Sequence, residues 1–300
     1  MSLLLGELVM SKKGLVIEGG GLRGAYTAGV LTWLLDHDIK FDYGVGISIG
    51  ALYLSAFLTE NKELLYECCI NLAGGKANVG IPPLLREGTL VGYDNIFKEI
   101  VNNKYKIDVD KLITNQTKAE IGIYDLSVCE TEWISNKDFD HDSLFIKAAC
   151  TLPMFGRKVK IKDKYYLDGG ITTMIPIGRS IKNGNEKHFI VTTKPENYVR
   201  KPYSKFVLTL FKLVYHDYPK LAKDMSVREK AYYQEINTIN ELVKQGTAIH
   251  IFPSKDVGVT RFGGSKEQLI ALYQLGIQDM EERKSELLDF FSDNGVKNEN

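Results

Sequence analysis

The sequence predicts an α/β protein: a mainly parallel sheet sandwiched between helices in three layers, followed by a smaller helix-rich C-terminal region. Three observations carry this reading. The first sixty residues run strand, helix, strand, helix, the order that builds a parallel sheet covered by helices. Glycines cluster where the first two strand-like runs give way to helical periodicity. After Pro195 the short mixed elements are replaced by longer helical patterns. A chain of 300 residues fits about two domains, and one this size hides about 75% of its unfolded surface.

Taken in order, residues 14–18 are a short apolar run of strand length, and residues 25–38 place Val30, Leu31, Leu34 and Leu35 at helical spacing. Residues 43–47 form the second strand and 49–58 an apolar helix. Residues 62–73 read as a further helix, and 74–92 as a loop, because Gly74, Gly75, Gly80, Pro82, Pro83 and Gly88 interrupt any period. Residues 119–126 and 128–134 follow as two strands, and 143–150 as a short helix stopped by Pro153. A strand over 164–167 leads into Asp168-Gly169-Gly170, and a late strand covers 188–193. Beyond it, 205–215 and 227–244 read as helices, 250–252 as a brief strand, and 266–291 as one long amphipathic helix. The expected organisation is a unit over 12–198, a helix-rich region over 199–292, and flexible ends at 1–11 and 293–300.

Composition excludes several classes. Hydrophobic residues are 44%, charged residues 25% and aromatic residues 10%, which does not fit a disordered chain. The 38 basic and 38 acidic groups cancel, which removes the electrostatic case for a nucleic-acid binder. Cys68, Cys69, Cys129 and Cys150 form no CxxC pair and no metal spacing, so they read as reduced thiols of a cytoplasmic protein. The N-terminal residues lack a signal-peptide pattern. The longest uncharged stretch, 43–59, is broken by glycines and short of a membrane span. No metal motif or phosphate loop occurs, and oligomeric state is not legible.

Two glycine motifs carry the chemistry. Gly19-Gly20-Gly21-Leu22-Arg23-Gly24 follows the first strand and opens a helix, a GxGxxG spacing whose free N–H groups suit an anion. A dinucleotide site, as in an oxidoreductase, also needs an acid at the end of the second strand. That position holds Gly46-Ile47-Ser48-Ile49-Gly50 instead. This is GxSxG, which sets a serine on a sharp strand-to-helix turn. Taken alone it reads equally as a turn whose serine caps a helix. A base for Ser48 is offered by Asp168, followed by two glycines that allow a tight turn; alone, this is an Asp-Gly turn. His188, His216 and His250 follow Asp168 and keep a Ser–His–Asp order open.

The glycine loop after strand one, GxSxG after strand two and a later strand-end DGG, in this order, resemble the patatin-like phospholipase family over residues 12–198. Ala148-Ala149-Cys150-Thr151-Leu152-Pro153 is similar to a short segment that precedes the aspartate in that family. The resemblance implies a three-layer fold and a metal-independent, cofactor-free serine hydrolase of lipid esters, of phospholipase, lysophospholipase or esterase type. It implies a Ser48–Asp168 dyad without histidine and an oxyanion loop at Gly19, Gly20 and Gly21. Gly24, Gly46, Gly50, Gly169 and Gly170 would shape the turns, and Arg23 would either lock the loop or attract an anionic head group. A catalytically silent lipid-binding or regulatory protein is the reading from another class.

Residues 194–223 carry seven basic groups against two acidic ones, a net of +5, interleaved with six aromatic residues. Val207, Leu210, Phe211, Val214 and Tyr215 share one helical face. The segment reads either as a peripheral contact with an anionic lipid surface or as a packed helix with a solvated basic face.

Overall fold

The computed structural model describes residues 11–72, 75, 77–102 and 105–292. The flexible ends expected at 1–11 and 293–300 fall outside them, Ser11 excepted. In chain order the strands are β1 (Lys13–Ile17), β2 (Tyr43–Ile47), β3 (Lys118–Asp125), β4 (Glu130–Ser135), β5 (Val159–Ile161), β6 (Lys164–Asp168), β7 (Lys187–Val191) and β8 (Ala248–Ile251). The helices are α1 (Gly24–Asp36), α2 (Ile49–Leu58), α3 (Lys62–Glu67), α4 (Ile81–Glu87), α5 (Tyr93–Asn102) and α6 (Val109–Thr114), followed by α7 (Leu144–Cys150), α8 (Ile177–Lys182), α9 (Lys205–Val214), α10 (Pro219–Lys244), α11 (Lys266–Glu282) and α12 (Lys284–Phe291).

One sheet runs β5-β6-β3-β2-β1-β7-β8, with β4 on the other side of β3. The pairs from β3 through β2, β1 and β7 to β8 are all parallel, and the β4, β5 and β6 pairings are antiparallel. Alternation along each strand sends side chains to two different cores. Leu15 and Ile17 of β1, Phe189 and Val191 of β7, and Ile249 and Ile251 of β8 join the core built with α1, α2 and α11. Val16, Ile190 and Ala248 join the opposite core, built with Tyr232 and Ile239 of α10. This is the expected three-layer arrangement.

The C-terminal elements are part of that packing. β8 pairs with β7 along the sheet edge. On α11, Gly276 lies so close to α1 that an added Cβ would collide with the Tyr26 carbonyl, and a Cβ on Gly29 would meet the Tyr273 carbonyl. The Tyr26 hydroxyl donates to Asp279 Oδ2 at 2.8 Å inside this contact.

Several elements differ from their sequence expectation. The loop expected over 74–92 contains α4, where Pro82 and Pro83 occupy the first helical turn rather than breaking structure. The helices α6 and α8 and the strand β5 are too short to impose a readable period, whereas α5, ten residues long with Ile96 and Phe97 turned inward, carries one that the sequence reading passed over. The single long helix expected over 266–291 divides at Arg283, whose φ of −102° and ψ of 11° leave helical geometry. Its guanidinium there donates to the His250 carbonyl at 2.9 Å.

Candidate active site

The sheet register brings the two motif residues together. β2 runs parallel to β3 and ends with Ile47 opposite Gly122. β6 runs antiparallel to the same strand and ends with Asp168 opposite Ile123, the next residue. The carboxyl ends of β2 and β6 therefore meet head-on along one edge of β3, and Ser48 follows directly from Ile47. Gly169 makes the approach possible, since a Cβ there would stand 2.5 Å from the Gly122 carbonyl.

Ser48 has φ 57° and ψ −132°, a strained conformation for a non-glycine residue. Its side chain is thrown out of the turn toward the crevice. The strain is held from both sides. A Cβ on Gly46 would collide with the Gly50 carbonyl, and one on Gly50 would stand 2.8 Å from the Glu18 carbonyl. The Cys150 thiol donates to the Ser48 carbonyl at 3.3 Å. α2 begins immediately after Ser48, so its N-terminal dipole favours negative charge at this point.

Asp168 is buried. Its Oδ1 accepts the Gly170 N–H at 2.7 Å. Its Oδ2 has no hydrogen-bond partner among the described residues and is free for the nearby Ser48 hydroxyl, which acts on the same carboxyl. Burial pushes the carboxyl's pKa up; the Ser48 hydroxyl, the Gly170 N–H and the charges of Arg228 and Arg261 pull it part of the way back. The net effect is a carboxyl more basic than usual.

The glycine loop lies across the crevice from this pair. The Gly19 N–H, expected to be one of three oxyanion donors, donates instead to the Met174 carbonyl at 3.3 Å. Gly20 and Gly21 have N–H groups without an acceptor among the described residues. Gly19 instead provides closeness, since its Cβ would stand 2.8 Å from Ser48 Cβ. Gly21 has φ +59°, which favours glycine, and a Cβ there would be 2.5 Å from the Arg261 carbonyl. The loop is anchored below. Glu18 accepts from the Thr193 N–H at 2.7 Å and Oγ1 at 2.9 Å, and from Lys194 Nζ. Thr193 packs where a Gly20 side chain would point. Arg23 faces away from Ser48; its Nε donates to the Val259 carbonyl at 3.1 Å and ties the loop down. Gly24 lies against Tyr53.

Two apolar cavities open on this crevice. One of about 70 Å³ is bounded by Ser48, Leu52, Tyr93, Ile96 and Phe97. The other, of about 310 Å³, is bounded by Asp168, Val207, Leu210, Phe211, Met225 and Arg228. Leu152, Arg261 and Phe262 border both. The Tyr93 hydroxyl accepts the Leu152 N–H at 3.2 Å and the Tyr215 hydroxyl accepts the Met154 N–H at 2.8 Å, which fixes the segment between the cavities.

The three histidines that follow Asp168 lie elsewhere. His188 pairs with Ser180 Oγ at 2.9 Å near the start of β7, and His250 with Thr192 Oγ1 at 2.8 Å. His216 is on the surface beside Asp217. No histidine borders the crevice or either cavity.

A family model described as patatin-like phospholipase matches residues 15–180. The chain belongs to the patatin-like phospholipase family. A second model, a domain of unknown function (DUF6363), matches residues 218–292. Among similar proteins, the probable lipid hydrolase 463L of Invertebrate iridescent virus 6 is 24% identical over 192 residues, covering 59% of this patatin-like chain and 66% of that protein. The uncharacterized protein YjjU of Escherichia coli (strain K12) is 25% identical over 194 residues, covering 63% of this chain and 54% of that protein. This chain thus spans between about half and two thirds of the length of these relatives. Among solved structures, VipD from Legionella pneumophila superimposes with a TM-score of 0.51 at 12% identity, over 92% of this chain and 67% of that one, a likeness of fold.

Sequence reasoning missed Arg228 and Arg261, which border the crevice from outside the matched patatin-like segment. Arg228 sits in an ordinary helical pattern and gives no signal. Arg261-Phe262-Gly263-Gly264 is a glycine-rich turn beside a cation and an aromatic ring, and carried a signal that a search for family motifs alone passes over.

Proposed function

We infer that the protein is a serine acyl hydrolase of lipid carboxylic esters, working through an acyl-enzyme with Ser48 as nucleophile and Asp168 as base. The observation that carries this reading is the meeting of Ser48 and Asp168 against consecutive residues of β3, beside two free N–H groups. Asp168 takes the Ser48 proton as Oγ adds to the ester carbonyl. The carbonyl oxygen becomes an oxyanion facing the Gly20 and Gly21 N–H groups, each such donor being worth about 3 kcal/mol in a water-excluded site. Collapse breaks the C–O bond, and Asp168 returns the proton to the departing alcohol. Water then gives a proton to Asp168 and its oxygen to the acyl carbon; the Oγ–acyl bond breaks, Asp168 returns the proton to Ser48 Oγ, and the fatty acid is released with both residues restored. Apolar walls on both sides of the serine support a hydrocarbon substrate.

The same reading includes a peripheral contact with a lipid surface through α9 and its flanks, and a cytoplasmic setting, which the four free buried cysteines support. No helix among the described residues is long and apolar enough to cross a membrane.

The test is a fluorophosphonate probe together with a panel of lipid esters. The wild type is expected to label at Ser48 and to hydrolyse the esters. Ser48→Ala is expected to fold, to resist the probe and to lose turnover by several orders of magnitude. Undiminished hydrolysis by Ser48→Ala would remove the assignment.

A further inference from the structure

The C-terminal segment sends two cations into the crevice. Arg228 of α10 and Arg261 of the loop between β8 and α11 border the same space as Ser48, Asp168 and the glycine loop. Both also border the 310 Å³ cavity. Arg228 is 7% exposed; its Nε donates to the Gly170 carbonyl and its Nη1 to the Tyr203 hydroxyl at 3.3 Å. A third guanidinium, Arg200, lies behind them over the Tyr232 ring at 4.5 Å, and its buried Nε has no hydrogen-bond partner among the described residues.

Negative charge does not match this: Glu18 acts on Arg200 but is also held by Lys194, and burial raises Glu235, which faces Arg228, to about 8. Asp168 is the one carboxylate bordering the crevice or either cavity among the described residues. Its Oδ1 is held by Gly170, and its charge vanishes each time it takes a proton from Ser48. The cluster also perturbs its neighbours. Burial and the charges of Arg261 and Arg200 push Arg228 down to about 10. Burial raises the Tyr203 phenol, but Arg228 and Arg261 outweigh it and bring the pKa below the usual value. Buried cations in excess are costly without an anion, and an arginine pair presents planar donor forks that match phosphate oxygens.

We propose that Arg228 and Arg261 form an anion subsite that holds the phosphate of an amphiphilic substrate, so that the preferred esters carry a phosphate on the alcohol side. The inference rests on the hydrolase reading for its catalytic part. Leu210, Phe211 and Met225, on the wall of the same cavity, suit hydrocarbon beside the phosphate, which favours a lipid head group over free phosphate.

The subsite is tested first by binding, in the Ser48→Ala protein, with octyl phosphate, octyl glucoside and inorganic phosphate in calorimetry. Octyl phosphate is expected to bind at least about tenfold more tightly than either of the others. Adding Arg261→Gln is expected to weaken octyl phosphate about tenfold, and Arg261→Lys to recover part of the loss. Arg228→Gln is expected to act likewise; because Arg228 also holds Gly170, thermal melts accompany it, and the half-buried Arg261 carries the test if that variant does not fold. In an otherwise wild-type chain, the ratio of kcat/KM for a 1-acylglycerol phosphate over the matching 1-acylglycerol is expected to fall about tenfold in Arg261→Gln. Equal affinity for all three probes, inorganic phosphate binding as tightly as octyl phosphate, or an unchanged ratio would overturn the subsite. Selective octyl phosphate binding by a protein that hydrolyses no ester would support the subsite and remove the hydrolase reading. Ser48-dependent hydrolysis with no preference between the two esters would do the reverse.

Discussion

At the scale of single residues, the acid–base behaviour of Asp168 is the part of the proposed mechanism most open to test. A base works only when ionised. Burial raises its pKa, so the protonated, inactive form persists to higher pH than an ordinary carboxyl near 3.9 would allow. Activity is therefore expected to fall as pH falls through a value above that ordinary one. Arg261 lowers the same pKa, so Arg261→Gln should move the acid limb of kcat/KM to higher pH. Asp168→Asn should remove at least about a thousandfold of the rate at every pH. A limb that stays in place in Arg261→Gln, or an active Asp168→Asn, would show that another group titrates. Ser48 and Asp168 were legible because a tight turn constrains its own neighbours. Gly46, Gly50 and Gly169 each sit where a Cβ would strike backbone. The N–H groups proposed to face the oxyanion were legible only as a loop. That Gly19 donates to Met174 depends on the approach of the segment between β6 and α8, which no local pattern encodes.

At the scale of elements, α10 reaches the glycine loop through a relay. Its Glu235 accepts the Met174 N–H at 3.1 Å and the Ile175 N–H at 3.0 Å, and the Met174 carbonyl accepts from Gly19. Burial pushes Glu235 up to about 8 from 4.5. Between those values the unfolded chain loses this proton and the folded chain keeps it. The stability it contributes is therefore full at acid pH and declines as pH rises toward about 8, at up to about 1.4 kcal/mol per unit. Glu235→Gln keeps an acceptor without the proton. Chemical denaturation across pH 5 to 9 should show a flatter stability profile for Glu235→Gln than for the wild type; parallel profiles would mean that Glu235 ionises normally. The position of α10 explains what the sequence hid. β1, β2 and β7 declared themselves as apolar runs because they are buried nearly throughout, whereas the more polar α10 was expected only over 227–244 of its 219–244 span. Pro82 and Pro83 misled because proline marks a loop and a first helical turn alike, and only the fold separates the two.

At the scale of the whole molecule, the question is how the ester site meets a lipid surface. The net of +5 over residues 194–223 overstates what faces outward. Lys194 is buried against Glu18, and Arg200 is buried against Tyr232. Lys201, Lys205, Lys212, Lys220 and Lys223 remain exposed, Lys220 in an ion pair with Asp224. The apolar face expected on α9 divides as well. Phe211 and Tyr215 are buried, Val207 and Leu210 are half-buried beside the 310 Å³ cavity, and Val214 is exposed with Phe206 and Leu213. α9 thus joins the cavity wall to an outer surface that is basic and apolar together. A similar rim, with Ile81 and Leu85 of α4 exposed, follows Val79 at the smaller cavity. Exposed lysines contribute about 1 kcal/mol each near anionic lipid, and salt screens that attraction sharply. Replacing Lys201, Lys205 and Lys212 with glutamine is expected to weaken binding to anionic vesicles and to slow hydrolysis of vesicle lipid. Hydrolysis of a small water-soluble ester should be unaffected, because none of the three borders the crevice or either cavity. Equal loss on both substrates would mean that α9 supports the site through packing alone. A wild type that ignores anionic vesicles at low salt would remove the surface contact from the reading.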